Sequence, residues 1–217
     1  APILQNKCQS CHRPGQVGPF SLLSFEDAKR WSTSIAEVVE TRRMPPWHPS
    51  PRFGHFANDR SLNAQERATL LAWVDQDCPS GDLAKQPPAR SFVDGWTIGK
   101  PDAVIEMPIT YTVPRQGWVD YVRLRVPAPF SEDKWLQAVE AKPTAKAVVH
   151  HIIVFMIPPD NSRPTYVVGY APGDLAEVYP PGTAKRIPAG SDLLFELHYT
   201  PNGTSVQDRS SVAMIFA

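Results

Sequence analysis

The sequence predicts an α-then-β protein: a small all-α domain over residues 1–82, a linker over residues 83–100 and an antiparallel, jelly-roll-like β-sandwich over residues 101–217. Apolar residues recur at helical spacing in the first part and at a period of two in the last. The strand-like segments follow one another without intervening helices, which is typical of antiparallel sheets. The 24 prolines indicate short elements, because proline ends helices and central strands.

The first part contains three predicted helices. A short one is expected from Pro2 to about Ser10. A second begins at a capping-box pattern, Ser24–Asp27, and ends at Pro45 and Pro46. Its apolar stripe consists of Phe25, Ala28, Trp31, Ile35, Val38 and Val39. A third helix begins at the capping-box pattern Asn63–Glu66.

The last part contains six predicted strands, and the Pro-Asn-Gly turn at residues 201–203 separates the final two. Their ranges are Ala103–Val113, Trp118–Val126, Trp135–Ala141, Val148–Ile157, Leu193–Thr200 and Val206–Ala217.

Composition and charge exclude several function classes. The 22 basic and 22 acidic residues give zero net charge, which argues against binding to nucleic acid or to an anionic membrane through bulk charge. The longest apolar run, Ala147–Pro158, is too short to span a bilayer. The chain starts at Ala1 without a signal-peptide pattern, so we expect a processed mature protein or an excised piece.

Cys8, Cys11 and His12 form a CxxCH motif. Two thiols at this spacing can add to the two vinyl groups of one haem, and the adjacent histidine then binds the iron. The alternative is a thiol pair followed by a surface histidine. Because c-type haem is normally attached after export, the haem interpretation implies a periplasmic or otherwise extracytoplasmic protein.

Met44 is the predicted sixth ligand of the haem iron, because Pro45 and Pro46 stiffen the segment that carries it. A thioether ligand favours Fe(II) and suits electron transfer. His48 and His55 are rival ligands, and Met44 as a simple core residue is the further alternative. Cys78 is left over, and we expect a free structural thiol there.

This region resembles a small class I cytochrome c, through the helix before CxxCH, the Gly18-Pro19 pair after it, the later helix and a Met-Pro segment. In that family a proline carbonyl holds the proximal histidine. The resemblance therefore implies that Pro19 orients His12, and that Met44 lies opposite it on the iron.

His150 and His151 lie inside an apolar predicted strand. A single histidine in such a place is more often a hydrogen-bonded core residue than a ligand. Neighbours on a regular strand point to opposite faces, so both can bind one metal only if the strand twists or bulges. His198 is a third candidate, on the strand face of Leu194 and Glu196. Three neutral imidazoles suit copper, zinc or iron, and copper leads on intrinsic affinity.

Residues 95–217 resemble the N-terminal copper domain of the type II, ascorbate-dependent copper monooxygenases, which include peptidylglycine α-hydroxylating and dopamine β-type enzymes. The matching segments are Tyr121–Pro127, Val149–Phe155, Tyr170–Pro172, Pro180–Gly182 and Leu197–Tyr199. In that family an adjacent histidine pair and a later histidine bind the electron-transferring copper. The resemblance implies His150, His151 and His198 for that role.

Two departures from the family stand out. This chain has no cysteine after Cys78, whereas the animal enzymes carry disulfides in this domain. The family's oxygen-activating copper lies in a second domain, on a His-x-His motif and a methionine, and this sequence has no His-x-His. The order of haem motif and copper domain resembles a group of bacterial exported proteins that continue into that second domain. We therefore expect a truncated form.

The leading hypothesis is a redox protein in which the haem passes electrons to the three-histidine copper. A small redox protein or ascorbate would be the electron donor, and O₂-dependent C–H hydroxylation would require the second copper domain. On this hypothesis the chain alone is inactive in hydroxylation, and no residue is assigned a catalytic role. The alternatives are a non-catalytic haem–copper electron-transfer or copper-binding module and, ranked last, a three-histidine zinc hydrolase.

Overall fold

A computed structural model divides the chain into two compact units, Ala1–Phe92 and Val93–Ala217. The structure describes residues 1–56, 58–174 and 176–217. Helices contain 17% of the residues and strands 28%, so the chain as a whole is β-rich. In this described part, no helix combines the length and the apolar character that crossing a bilayer requires.

The first unit is built from short helices: α1 (Pro2–Lys7), α2 (Phe25–Arg30), α3 (Ser32–Glu40) and α4 (Ala64–Asp75), with single 3₁₀ turns at Pro51–Phe53 and Leu83–Lys85. The helix predicted after Ser24 is broken in two at Trp31, which leaves helical geometry with φ −98° and ψ 10°. The Trp31 ring stacks on Phe20, with their centroids 4.1 Å apart. The ring at the break thus packs against Phe20, in the segment that follows the CxxCH motif.

Side-chain caps fix the starts of α2 and α4. The capping box of α4 is complete, because Asn63 Oδ1 accepts from the Glu66 amide at 2.8 Å and Glu66 Oε2 accepts from the Asn63 amide at 2.9 Å. At α2, Ser24 Oγ accepts from the Asp27 amide at 3.0 Å. The core under these helices is small, and its buried members are Leu4, Leu22, Ala28, Ile35, Val39 and Leu70.

The segment predicted as a linker is packed against the unit on each side of it. Arg90 donates to the Gln5 carbonyl at 2.8 Å, and the Phe92 ring lies 4.1 Å from the Arg13 guanidinium. In the second unit, the amide of Thr97 donates to the Glu140 carboxylate at 2.6 Å. The linker residues therefore contribute to the fold of both units.

The second unit consists of antiparallel strands that form three sheets. The strands are β1 (Ala103–Glu106), β2 (Tyr111–Val113), β3 (Val122–Pro127), β4 (Lys134–Lys142), β5 (Val149–Ile157), β6 (Thr165–Tyr170), β7 (Glu177–Val178), β8 (Lys185–Ile187), β9 (Asp192–Tyr199), β10 (Val206–Asp208) and β11 (Ser211–Phe216). One sheet has the order β1-β11-β4-β7, with β8 also paired to β4; a second is β3-β9-β5-β6; a third is β10-β2.

One buried core joins the two larger sheets. Its 24 buried residues include Leu136 of β4 and Val212 of β11 from the first sheet, and Val154 of β5 and Phe195 of β9 from the second. The inward side chains alternate along β9 with half-buried ones, as the period of two predicts.

The observed strands differ from the predicted ones at several places. The segment predicted as one strand over Val206–Ala217 forms two, β10 and β11, and β3 begins at Val122 rather than at Trp118. The strand predicted over Ala103–Val113 is split, because Pro108 interrupts it and its halves, β1 and β2, pair with different strands. No strand was predicted for the segments of β6, β7 and β8, which lie among the turns between Pro158 and Ser191.

Candidate metal centre

A β-bulge brings His150 and His151 to the same side of their strand. Val149 pairs with Tyr199 and His151 pairs with His198, so two steps along β5 match one step along β9. His150 is the extra residue, which leaves the regular alternation of faces. The bulge meets the condition under which the two adjacent histidines can reach one metal.

The three imidazoles form a nearly equilateral triangle. The ring centroids lie 5.3 Å apart for His150 and His151, 5.0 Å for His150 and His198, and 5.2 Å for His151 and His198. One ring nitrogen from each histidine lies within 4.8 Å of the other two. The Nδ1 atoms of His150 and His151 are 3.0 Å apart. His150 is exposed and the other two are half-buried, so the cluster opens to solvent.

Buried neighbours hold His198 in place on β9. On β9, His198 points outward while its neighbours Leu197 and Tyr199 are fully buried. The Tyr199 hydroxyl donates to Asp208 at 3.0 Å inside the core. Asp208 is itself completely buried and accepts four further hydrogen bonds, from the amide and hydroxyl of Thr144, the amide of Ala145 and the hydroxyl of Ser210.

Two aromatic side chains border the cluster on the outer face. The Tyr121 ring stacks on His198 at 5.1 Å and lies 5.6 Å from the His151 ring. Trp118 is 80% exposed and lies 6.1 Å from His198. Sequence reasoning did not assign these two residues a role at the site, although Tyr121 stands at the start of one of the segments that carry the family resemblance.

The electrostatic setting favours neutral imidazole, which is the form that binds metals. Burial lowers the pKa of His151, and its neighbours His150 and His198 lower it further, while Glu196 acts in the opposite direction. The site can therefore offer nitrogen lone pairs to a metal near neutral pH.

In the first unit, the CxxCH motif forms a compact turn. The amides of Cys11 and His12 both donate to the Cys8 carbonyl, at 3.1 and 2.9 Å. Both thiols are free rather than joined in a disulfide. Burial, and then the neighbouring Cys11, raises the pKa of Cys8 to about 11. Because neither sulfur is in a disulfide, both remain available for thioether bonds.

His12 has a buried ring nitrogen without a partner. Its Nδ1 makes no hydrogen bond, and burial lowers the pKa of the ring, while the Phe20 backbone acts in the opposite direction. A Cβ placed on Gly18 would lie 2.9 Å from this Nδ1, so only glycine fits there. The bond from His12 to Pro19 is not made in this structure. The buried Nδ1 atom of His12 is therefore unpaired in this structure. Binding of the ring to iron would fix its orientation, and Nδ1 could then form its hydrogen bond.

The three rival sixth ligands share one cavity. Met44, His48 and His55 all line a space of about 490 Å³ beside Trp47. Among the described residues, the lining of this cavity does not include Cys8, Cys11 or His12. The choice among the three ligands stays open.

Cys78 is buried at 3% exposure and is a free thiol, with φ 54° in the left-handed region. Its place at the end of α4 is that of a core residue.

No protein-family model matches this chain, and no curated protein matches it.

Proposed function

We propose that the chain is a two-centre redox protein, in which a covalently attached haem c in the first unit donates electrons to a copper ion in the second. The observation that carries the proposal is the bulge at His150, which gathers three imidazoles from two strands. On this proposal the second unit is a jelly-roll-like sandwich of the copper monooxygenase type, and the first is a class I cytochrome c domain.

Copper fits the three-histidine cluster better than zinc. Among divalent first-row metals, a site of nitrogen ligands binds Cu(II) most tightly. The Nδ1 atoms of His150 and His151 lie 3.0 Å apart, a separation compatible with an ion held by both rings. A proton shared between His150 and His151 would give the same separation, and the experiment below separates the two cases.

The residues of the first unit fit the attachment of haem. Cys8 and Cys11 would hold it by thioether bonds, and His12 would bind its iron on one side. Met44, with His48 and His55 as alternatives, would supply the other ligand from the cavity. When bound, the haem and the copper would each supply one-electron redox chemistry. The chain would then reside in the periplasm or another extracytoplasmic compartment.

Electron transfer is the activity proposed for the chain itself. A small redox protein or ascorbate is the proposed donor. O₂-dependent hydroxylation of a C–H bond would require a second copper domain, because the sequence contains only the three histidines in its β-rich half and no His-x-His motif. The module is therefore proposed as the electron-delivering part of a copper monooxygenase.

The test is metal and haem analysis of the purified chain, combined with electron paramagnetic resonance. We expect one haem and one type II Cu(II) per chain, and the loss of the Cu(II) signal when electrons are given to the haem. The Cys8→Ala/Cys11→Ala variant is the control for direct reduction of copper. Zinc in place of copper, or no metal, would overturn the copper assignment. A Cu(II) signal that persists beside fully reduced haem would overturn the coupling.

A further inference from the structure

A carboxylate stands next to the histidine cluster without belonging to it. Glu196 lies two residues before His198 on β9 and therefore on the same outer face. Its side chain is only 17% exposed, and its charge acts on His151. Yet, among the described residues, the group of ligand atoms close enough to share one ion consists of the three histidines alone.

A single arginine holds this carboxylate. Arg123 pairs directly with Glu196 across β3 and β9, and its Nε donates to Glu196 Oε2 at 2.6 Å. The same guanidinium lies 5.7 Å from the centre of the Tyr121 ring, which stacks on His198. Arg123 thus contacts both the carboxylate and the aromatic ring that borders the cluster.

We propose that Arg123 is a positioning residue that determines the ligand set of the metal: by holding Glu196, it keeps the carboxylate out of the coordination sphere. The inference rests on the proposed copper function. A fourth, anionic oxygen ligand would favour Cu(II) over Cu(I), because the softer Cu(I) prefers nitrogen and sulfur donors. An all-histidine site holds both oxidation states, as an electron-transfer site requires. By holding Glu196 away from the metal, Arg123 therefore keeps the site suited to one-electron exchange.

The same sheet supplies a matched control. Arg125 lies two residues along β3 on the same face, and it pairs with Asp192 of β9 and donates to Asn161 Oδ1 at 2.8 Å. This second ion pair lies on the far side of Leu194 from the histidines. Its loss removes one guanidinium from the same face without freeing a carboxylate beside the cluster.

The experiment compares copper-loaded chains that carry Arg123→Gln, Arg123→Leu, Arg125→Gln, Glu196→Gln or Arg123→Gln with Glu196→Gln. We expect Arg123→Gln to change the Cu(II) hyperfine splitting and to raise the ratio of Cu(II) to Cu(I) affinity by roughly tenfold, within the range that supporting residues impose on metal sites. Arg125→Gln and Glu196→Gln should match the wild type. The double variant should return to the wild-type spectrum, because it has no carboxylate to bind.

Three outcomes would overturn the inference. The first is an Arg123→Gln spectrum identical to that of Arg125→Gln. The second is a Glu196→Gln variant with an altered spectrum, which would mean that Glu196 already binds the metal in the wild type. The third is a double variant that keeps the altered spectrum. If Arg123→Gln does not fold, Arg123→Leu provides the same release of Glu196 with an apolar side chain beside Tyr121. A wild-type chain that binds no copper would instead overturn the proposed function.

Discussion

The two units hold their functional residues in different ways. In the second, 24 buried residues form one core, and the three histidines project from strands that belong to it. In the first, six of the described residues form the core, although Ala1–Phe92 has about three quarters of the length of Val93–Ala217. The CxxCH motif lies on a turn after a helix of six residues. In the second unit a large apolar core holds the three histidines in place, whereas the first unit has only a small apolar core to support its motif.

This difference indicates how folding and ligand binding are related in each unit. A domain with a small core gains much of its stability from whatever binds it, because binding to the folded state alone shifts the unfolding equilibrium. A domain with a large core can hold a metal site in place before the metal arrives. We therefore expect haem to stabilise the first unit strongly and copper to change the second unit little.

The largest effect on stability is expected from Asp208, the buried carboxylate that accepts a hydrogen bond from Tyr199 of β9, the strand that carries His198. Asp208→Ala removes the acceptor of five hydrogen bonds in the core and should lower the free energy of unfolding of the second unit by about 3–5 kcal/mol, because several buried donors lose their only acceptor. Copper affinity should fall too, since Tyr199 next to His198 loses its partner. Urea unfolding followed by circular dichroism measures the first effect.

The control is Glu132→Gln, which removes an exposed partner of Lys134 and should change stability by no more than about 0.5 kcal/mol. An Asp208→Ala variant as stable as this control would show that the core does not depend on the carboxylate.

The next prediction concerns the first unit. Cys8→Ala with Cys11→Ala removes both attachment points for haem, and the amide hydrogens of residues 1–92 should lose protection by at least about 100-fold, or ~2.7 kcal/mol. Residues 93–217 should keep theirs. Hydrogen exchange with mass spectrometry resolves the two units in one experiment.

Cys78→Ala is the matched control, because it removes a buried thiol outside the motif. Equal protection of residues 1–92 in the double variant and in this control would contradict the idea that the first unit depends on haem.

The smallest expected effect is a loss of stability at alkaline pH, which only the second unit should show. All six tyrosines lie after residue 92. Burial and the neighbouring carboxylates raise the pKa of Tyr166, Tyr179 and Tyr199 above the usual 10.0. Above pH 10 the unfolded chain therefore releases protons that the folded unit retains, so the stability of the second unit falls as the pH rises. Tyrosinate absorbance measures the titration.

Tyr199→Phe should make this fall of stability with pH less steep, and Tyr121→Phe serves as the comparison variant. Six tyrosines that ionise together at their usual pH would contradict the prediction.

Local patterns were readable from the sequence alone. The capping box at Asn63 and Glu66 forms as predicted, because both partners lie within one helical turn. The alternation that placed His198 and Glu196 on one face of β9 is confirmed for the same reason, since it depends only on the period of a strand. The haem motif is likewise a matter of spacing, and the binding of haem and copper stays a prediction.

Only the tertiary structure decided the rest. The bulge at His150 depends on how β5 pairs with β9. From the sequence of β5 alone, we could conclude only that His150 and His151 need a twist or bulge to bind one metal. The contact of Arg123 with Glu196 joins residues 73 positions apart, and it exists because β3 and β9 lie side by side. The composition and periods of a sequence determine which residues face outward, because those are properties of one strand. Which outward residues meet is determined by strand pairing, since only pairing brings distant parts of the chain within reach.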